Sequence, residues 1–553
     1  MEQQMSAEMK PQASMNFPEA NAHAWLKANG GMLAPQGEGL DGLTVVIVGG
    51  GQTALFTAIH LAQAGASVQV VEATETCQGR AETHVFSDGS KAPLGMMRFG
   101  RGSAIFGGIV VALGFVMKPR FPDPGVVPTL IHYEGSTSVW NDKETAPEGF
   151  ENVQHHFQDF LKNGWNGLES WELIQTYLQD DEPELARQAT QAWIDHFRDE
   201  TFGSAIREIF RDTWSEDEFK RFDTLGVGSG GFGVLNHVSI FVIMQVFVNG
   251  FEDEQCSLGK WDGQEVQDVG ADDIIEALKL HAISKGVQLF MSTPVTSVAY
   301  SGQHHVIQTS TGLVLKSDIL VCTTTLPAMV RIEGLPELLG NVLPGAEDLP
   351  ADCRSGKLFT LIDVSGIPDI NESDFPQVLV SDLLSRQMYL QPGKTANTRV
   401  LLMWYGWQKA YDDLADMTDH QMIEECSDVA RTIVKGTKYE RSWNQILGKV
   451  VEHKVIRWQG RCFAGSAFQV AEPGDNQKLR DASFLWGSAG TMANRNTFSA
   501  MADLQGAGGW NEGGYTKAAV DISAILAGRG TVYHDGLAPC YLLNKDTLVF
   551  NDG

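Results

Sequence analysis

Positive charge is scarce in this chain. Its 553 residues include 41 Lys and Arg against 69 Asp and Glu, a formal net charge of −28. A surface that negative excludes non-specific binding to nucleic acid or to anionic lipid, because both require basic patches. Long apolar runs are missing too. The longest, Ile105–Met117 and Val238–Val248, fall short of the roughly 18 residues that a spanning helix needs. Cysteine is sparse, with seven scattered residues and no CxxC, which argues against a disulfide framework or a structural zinc site. Residues 1–15 lack the basic and apolar regions of a secretory leader. The expectation is a cytoplasmic protein with no membrane, nucleic-acid or metal partner; nothing here opposes a homodimer. Aromatic content of 9% and 20 prolines are ordinary globular usage, and the length suits more than one domain.

The region from Leu43 to Glu72 is sharply patterned. The β-branched run Leu43–Val48 predicts a buried strand, Gln52–Gly65 a helix, and Ala66–Val71 a second strand. Between the first strand and the helix lies Gly49-Gly50-Gly51-Gln52-Thr53-Ala54, which fits G-x-G-x-x-A. Gly49 permits a tight turn, Gly51 lets a pyrophosphate approach the backbone, and Ala54 permits close packing of the helix, whose N–H groups then face the phosphates. Glu72 closes the second strand, 72 − 49 = 23 residues after the first glycine, where a carboxylate can bind ribose hydroxyls. Strand, glycines, helix, strand and acid together predict a Rossmann-like dinucleotide-binding domain.

From about 150 to 250 the apolar residues recur at helical spacing, and short strands and mixed segments follow to about 455. Ser483–Gly487 reads as a late buried strand and Thr516–Leu526 as a closing helix. The predicted fold class is α/β (α+β overall), with a discontinuous cofactor domain, an inserted mixed-sheet substrate domain and a helical subdomain. The expected division is an arm at 1–42, the cofactor domain at 43–105, 251–330 and 456–530, a helical and substrate-domain segment at 106–250, a substrate-binding domain at 331–455, and a tail at 531–553.

Several residues invite a chemical reading beside a structural one. Arg98, in Leu94-Gly-Met-Met97-Arg98-Phe99, lies amid apolar residues and needs an anionic partner, either a bound carboxylate or a structural Asp or Glu. Lys357 opens the strand-like run KLFTLIDV, pointing either into a buried site with a lowered pKa or into solvent. Tyr389, Trp458 and Phe468 suit either core or the wall of an aromatic pocket, as do Trp404, Tyr405 and Trp407. The pairs His155-His156 and His304-His305 have no adjoining ligand set.

The run Glu72-Ala73 to Gly79-Arg80, together with Gly95-Met-Met97-Arg98-Phe99, resembles the flavin-dependent amine oxidase superfamily, in its L-amino-acid oxidase and amino-acid 2-monooxygenase branch. The segments Phe121–Val127, Ile131–Tyr133, Phe197–Asp199, Gly226–Phe232 and Val248–Phe251 resemble that branch in the same order, so the likeness spans about residues 20 to 530. It implies non-covalent FAD held by Gly49, Gly51, Thr53, Ala54, Glu72, Arg80, Met97, Arg98 and Val295. The C-terminal segments Gly487-Ser488 and Trp510-Asn511 would complete that site. It further implies that Arg98 and Tyr389 grip a substrate carboxylate, that Lys357 holds a water at the flavin, and that Trp458 and Phe468 line the side-chain pocket. Gln78, Gly100, Ser488 and Asn511 depart from the family pattern. The expected reaction is oxidation of an aromatic, tryptophan-like L-amino acid by hydride transfer to flavin, with reoxidation by O2 and an amide product. Release of a 2-oxo acid with ammonia and peroxide is the alternative, and a non-catalytic flavin-binding protein is the alternative from another class.

Overall fold

The computed structural model describes residues 26–27, 30–100, 103–142, 144–179, 182–226, 235–246, 255–339, 352–367, 369–473, 496–501, 503 and 511–527. Two sheets position the site. The first is parallel, in the order Gln288–Phe290, Ser67–Val71, Thr44–Val48, Ile319–Cys322, Thr497–Ser499. After Thr44 its central strand is apolar, Val45 to Val48, because both faces are covered. Val45 and Ile47 pack in one core with the helices Gln52–Gln63 and Asn511–Ala527, whereas Val46 and Val48 join a second core that includes the helical subdomain.

The second sheet has seven strands, in the order Val450–Arg457, Ser355–Asp363, Thr398–Trp407, Gln387–Pro392, Val378–Ser381, Thr129–Tyr133, Ser136–Trp140. Its pairs are antiparallel except Val378–Ser381 with Thr129–Tyr133. The two-residue period of a strand sorts its side chains. Leu358, Ile362 and Trp404 enter a core with the helices Lys409–Ala415, Asp419–Val434 and Glu440–Leu447. Phe359, Leu361, Tyr389 and Leu402 face the opposite cluster, which also holds Leu94, Phe121 and Trp458. A bulge between Leu358 and Phe359 interrupts the pairing with Thr398–Trp407.

The helical subdomain contains Glu151–Asn163, Trp171–Gln179, Pro183–Phe197, Phe202–Ile209, Glu216–Leu225 and Ile240–Val246. Aromatic rings fill its interior: Phe210 stacks on Trp214 at 4.0 Å, and Trp193 stacks on Phe197 at 5.6 Å. The apolar run Ile105–Met117 divides into the helix Ala104–Ala112 and the strand Val116–Pro119, with Gly114 (φ +80°) turning the chain between them. Among the described residues no helix is long and apolar enough to cross a membrane.

In the C-terminal part, the expected strand Ser483–Gly487 lies outside the described residues, and among the described residues the fifth parallel strand is Thr497–Ser499. The closing helix begins at Asn511 rather than Thr516. Its Gly513-Gly514 pair has poor helix propensity, which hid the first turn. A tertiary contact compensates: the buried Glu512 carboxylate accepts the N–H groups of Ile105 (2.7 Å) and Phe106 (3.0 Å), at the head of the helix Ala104–Ala112. Glu512→Ala should therefore lower stability by about 1–3 kcal/mol, since two buried donors lose their acceptor. The urea midpoint of unfolding measures this; an unchanged midpoint contradicts it.

Candidate functional site

The nucleotide end is built at the carboxyl edge of the parallel sheet. Gly49 adopts φ +98° and donates its N–H to Val71 O at 2.9 Å; a Cβ there would lie 2.7 Å from Thr323 Oγ1. Gly50 donates to Glu72 Oε2 at 2.6 Å, which ties the acid to the glycine turn. The other Glu72 oxygen accepts from Thr74 N (2.8 Å) and Thr74 Oγ1 (2.7 Å). A Cβ on Gly51 would meet nothing within 4 Å, and the helix Gln52–Gln63 behind it has no side-chain cap. That open, uncapped turn is suited to a pyrophosphate. Thr53 and Ala54 are buried in the first turn of this helix.

Arg80 donates to Asp503 Oδ1 at 2.6 Å and to Ala467 O at 3.3 Å, while Asp503 Oδ2 accepts Leu326 N–H at 3.0 Å. Arg80 thus joins the 3-10 turn Gly79–Ala81 to a buried carboxylate from the C-terminal region. Val295 opens the strand Val295–Tyr300, the edge of a three-stranded sheet, and is partly buried. Gly487, Ser488 and Trp510 lie outside the described residues. Asn511 heads the closing helix, is 9% exposed, and its Nδ2 has no hydrogen-bond partner. A buried amide donor without an acceptor is costly unless a ligand supplies one. Together with the open turn at Gly51, it fits a dinucleotide-sized cofactor.

The second part of the site is a buried charged cluster. Arg98 pairs through Nη1 with Asp123 Oδ1; the two side chains are 9% and 6% exposed. Burial opposes the Arg98 charge, but the Asp123 carboxylate outweighs it, with Tyr389 and Tyr405 adding to the effect, and the guanidinium stays firmly protonated. Lys357 is 2% exposed and donates to Pro93 O (3.1 Å) and Gly95 O (2.5 Å), with Nζ 4.7 Å from the Tyr405 ring centroid. Burial, reinforced by the Arg98 charge, lowers its pKa from 10.5 to about 7. Gly95 has no room for a side chain, since a Cβ would collide with the Arg80 carbonyl. Tyr389 is fully buried, and its hydroxyl donates to Gln387 Oε1 at 2.7 Å; burial pushes its pKa up, against the pull of Arg98.

Aromatic side chains form the third part. Trp458 follows the strand Val450–Arg457 in a single 3-10 turn, is 5% exposed, and donates Nε1–H to Leu94 O at 3.3 Å. It shares its cluster with Tyr389, Met97 and Tyr405. Phe468 instead pairs in a short strand with Cys353, and its ring meets Trp407 edge-on at 5.9 Å; Trp407 in turn meets Tyr405 at 5.0 Å. The three aromatics of Thr398–Trp407 divide accordingly: Trp404 is core, stacked on Tyr411, while Tyr405 and Trp407 connect Lys357 to Phe468. Arg98, Lys357, Tyr389, Met97 and Trp458 therefore come together on one face of the seven-stranded sheet. Asp123 and Gln387 were not singled out in the sequence. The signal available was the carboxylate between two prolines in Phe121-Pro-Asp-Pro, an anionic partner of the kind a buried guanidinium needs.

Residues 55–486 match the family described as flavin containing amine oxidoreductase. The chain belongs to this family. It is a flavin-dependent oxidoreductase. It is 26% identical to a tryptophan 2-monooxygenase of Pseudomonas savastanoi over 524 residues, covering 88% of this chain and 90% of that protein. The corresponding protein of Pantoea agglomerans pv. gypsophilae is 26% identical over 542 residues, covering 89% and 90%. A tryptophan 2-monooxygenase of Allorhizobium ampelinum is 34% identical over 224 residues, which are 38% of this chain and 31% of that protein, so this alignment spans about a third of the relative's length. In structure the chain resembles putrescine oxidase, with a TM-score of 0.62 at 12% identity, covering 88% of this chain and 99% of that one. The amine-oxidase architecture thus agrees with the expected fold.

The low pKa of Lys357 has a consequence for stability. Between about 7 and the ordinary 10.5 the unfolded chain binds a proton at this lysine that the folded chain does not. Stability from this group therefore rises with pH across that window, by up to about 1.4 kcal/mol per pH unit. Lys357→Met should flatten the slope of the urea midpoint between pH 7 and pH 10 relative to the parent protein. Parallel slopes would contradict a neutral, buried Lys357.

Proposed function

We propose that the protein binds FAD non-covalently and converts an aromatic, tryptophan-like L-amino acid to the amide by oxidative decarboxylation, with dioxygen as the oxidant, one of its oxygen atoms entering the amide and the other leaving as water, and the carboxyl carbon leaving as CO2. The observation that carries the reading is the meeting of Arg98, a lysine of pKa about 7 and the Trp458 indole on one face of the substrate sheet. The relatives named tryptophan 2-monooxygenase along most of the chain support it.

In this reading Gly49, Gly51, Thr53, Ala54, Glu72, Arg80, Met97, Arg98, Val295 and Asn511 hold the cofactor, with Gly487, Ser488 and Trp510. A flavin held there would supply the acceptor for a hydride from the substrate Cα and the route of its electrons to dioxygen. The chain's own residues supply position and protons. Arg98, steadied by Tyr389, takes the α-carboxylate in a planar, charge-assisted contact and orients the substrate. Lys357 exists in both protonation states near neutral pH, so its Nζ can hold or release a proton there. Trp458 and Phe468 supply flat apolar area for the side chain, and the surrounding apolar cluster excludes water.

Arg98→Ala should lose on the order of 2–5 kcal/mol of transition-state stabilisation, read as kcat/KM for flavin reduction in the flavin-containing fraction of the variant. Arg98→Lys should recover only part, because the fork geometry is gone. Full activity in Arg98→Ala would remove the carboxylate assignment. Mass analysis of the product formed in air identifies the reaction: the amide is expected, and a 2-oxo acid with peroxide would make the protein an oxidase instead.

A further inference from the structure

The carboxyl edge of the parallel sheet carries more than the glycine turn. Three of its strands, Thr44–Val48, Ile319–Cys322 and Thr497–Ser499, run side by side in one direction, so the segments that follow them emerge at the same edge. Gly49 follows the first, Leu326 the second and Asp503 the third. The Asp503 side chain is 2% exposed and uses both carboxylate oxygens. Oδ1 accepts from Arg80 Nη1 at 2.6 Å, and Oδ2 accepts Leu326 N–H at 3.0 Å. The same Arg80 nitrogen donates to Ala467 O at 3.3 Å. Among the described residues these are the acceptors of the guanidinium, both reached through Nη1, and the arginine side chain is 23% exposed. The 3-10 turn that carries Arg80 lies against the open glycine turn: a Cβ on Gly79 would stand 3.7 Å from Gly51 Cα.

We infer that Asp503 is a positioning residue for the cofactor: it clamps one end of the Arg80 fork, so that the other donors are presented from a fixed place beside the glycine turn to a pyrophosphate. This rests on the reading of Arg80 and Gly49–Gly51 as part of the cofactor site. A guanidinium carries five N–H donors in a rigid plane, so anchoring one nitrogen leaves the others for a second acceptor. An arginine that is anchored beforehand has already lost its rotamer freedom, and a ligand gripped by it does not bear that cost. The Asp503 charge is offset by a cationic donor and a backbone donor, which limits its repulsion of phosphate oxygens. Through Leu326 N–H the anchor is itself fastened to the chain that follows a neighbouring strand of the same sheet.

The test is Asp503→Asn. An asparagine side chain has one accepting atom, for which Arg80 and the buried Leu326 N–H compete. Affinities of the full-length protein, stripped of flavin and titrated with FAD and with riboflavin, which has no phosphate, are read from the quenching of flavin fluorescence. FAD should bind about tenfold more weakly to Asp503→Asn and to Arg80→Ala than to the parent, while riboflavin changes by less than about twofold. The double variant should be no weaker than Arg80→Ala alone, because the two residues act as one unit. FAD and riboflavin weakened alike would make the pair a structural clamp and overturn the inference. Arg80→Ala separates the two levels. If it weakens FAD while Asp503→Asn leaves FAD unchanged or tighter, the role of Asp503 alone is refuted. If it binds FAD as the parent does, Arg80 is no cofactor residue and both readings fall. Should the asparagine variant not fold, Arg80→Lys carries the comparison with Asp503 left in place. One ammonium cannot hold Asp503 and a pyrophosphate in fixed geometry, so FAD should again weaken selectively; parent-like FAD binding in Arg80→Lys would overturn the inference.

Discussion

A guanidinium buried in an apolar wall must be compensated, and much of this site is arranged around the compensation of Arg98. Asp123 supplies the opposite charge from a loop fastened to the seven-stranded sheet. Tyr389 comes from the strand Gln387–Pro392 of that sheet, and Lys357 from Ser355–Asp363, two strands away. Burial lowers the Lys357 pKa to about 7, and the charge of Arg98 adds to that shift. A change at Arg98 therefore acts on Asp123 and on Lys357 at once.

The two sheets divide the labour. The parallel sheet carries the glycine turn and Glu72 at the carboxyl ends of its strands, as open α/β sheets commonly place their ligands. The seven-stranded sheet carries the charged and aromatic groups on one face and a dry helical core on the other. Three contacts distant in sequence fasten the halves of the site together. Arg80 reaches Asp503, Lys357 reaches the carbonyls of Pro93 and Gly95, and Trp458 reaches the Leu94 carbonyl. The short segment 93–98 is thus gripped from the seven-stranded sheet on one side and abuts the Arg80 backbone on the other.

The local parts of this arrangement were legible in the sequence. The strand Thr44–Val48, its glycines and the helix after it follow from β-branched residues and turn chemistry within thirty positions, and the alternation of Phe359 and Leu361 with Leu358 and Ile362 follows from the strand period. What was not legible depends on pairing at long range. Arg98 plainly needed an anion, but nothing in its own segment distinguishes Asp123 from the other acids of a chain with 69 of them. The first turn of the closing helix was hidden by two glycines and is recovered through Glu512, whose partners lie about 400 residues earlier. Trp458 and Phe468, ten residues apart, read as one pair; between them a 3-10 turn and a change of strand partner place Phe468 against Trp407.

The account's central claim is that an amino acid held at Arg98 is oxidised at the flavin. Anaerobic mixing of the purified protein with each of L-tryptophan, L-phenylalanine, L-lysine and L-arginine, followed in the visible absorption of the flavin, tests it without dependence on product chemistry. The account predicts that the flavin band bleaches with tryptophan or phenylalanine, with kcat/KM for reduction above that for lysine and arginine. A flavin that stays oxidised with all of the amino acids would contradict the claim, and a tenfold preference for lysine or arginine would contradict the aromatic pocket while leaving Arg98 in place.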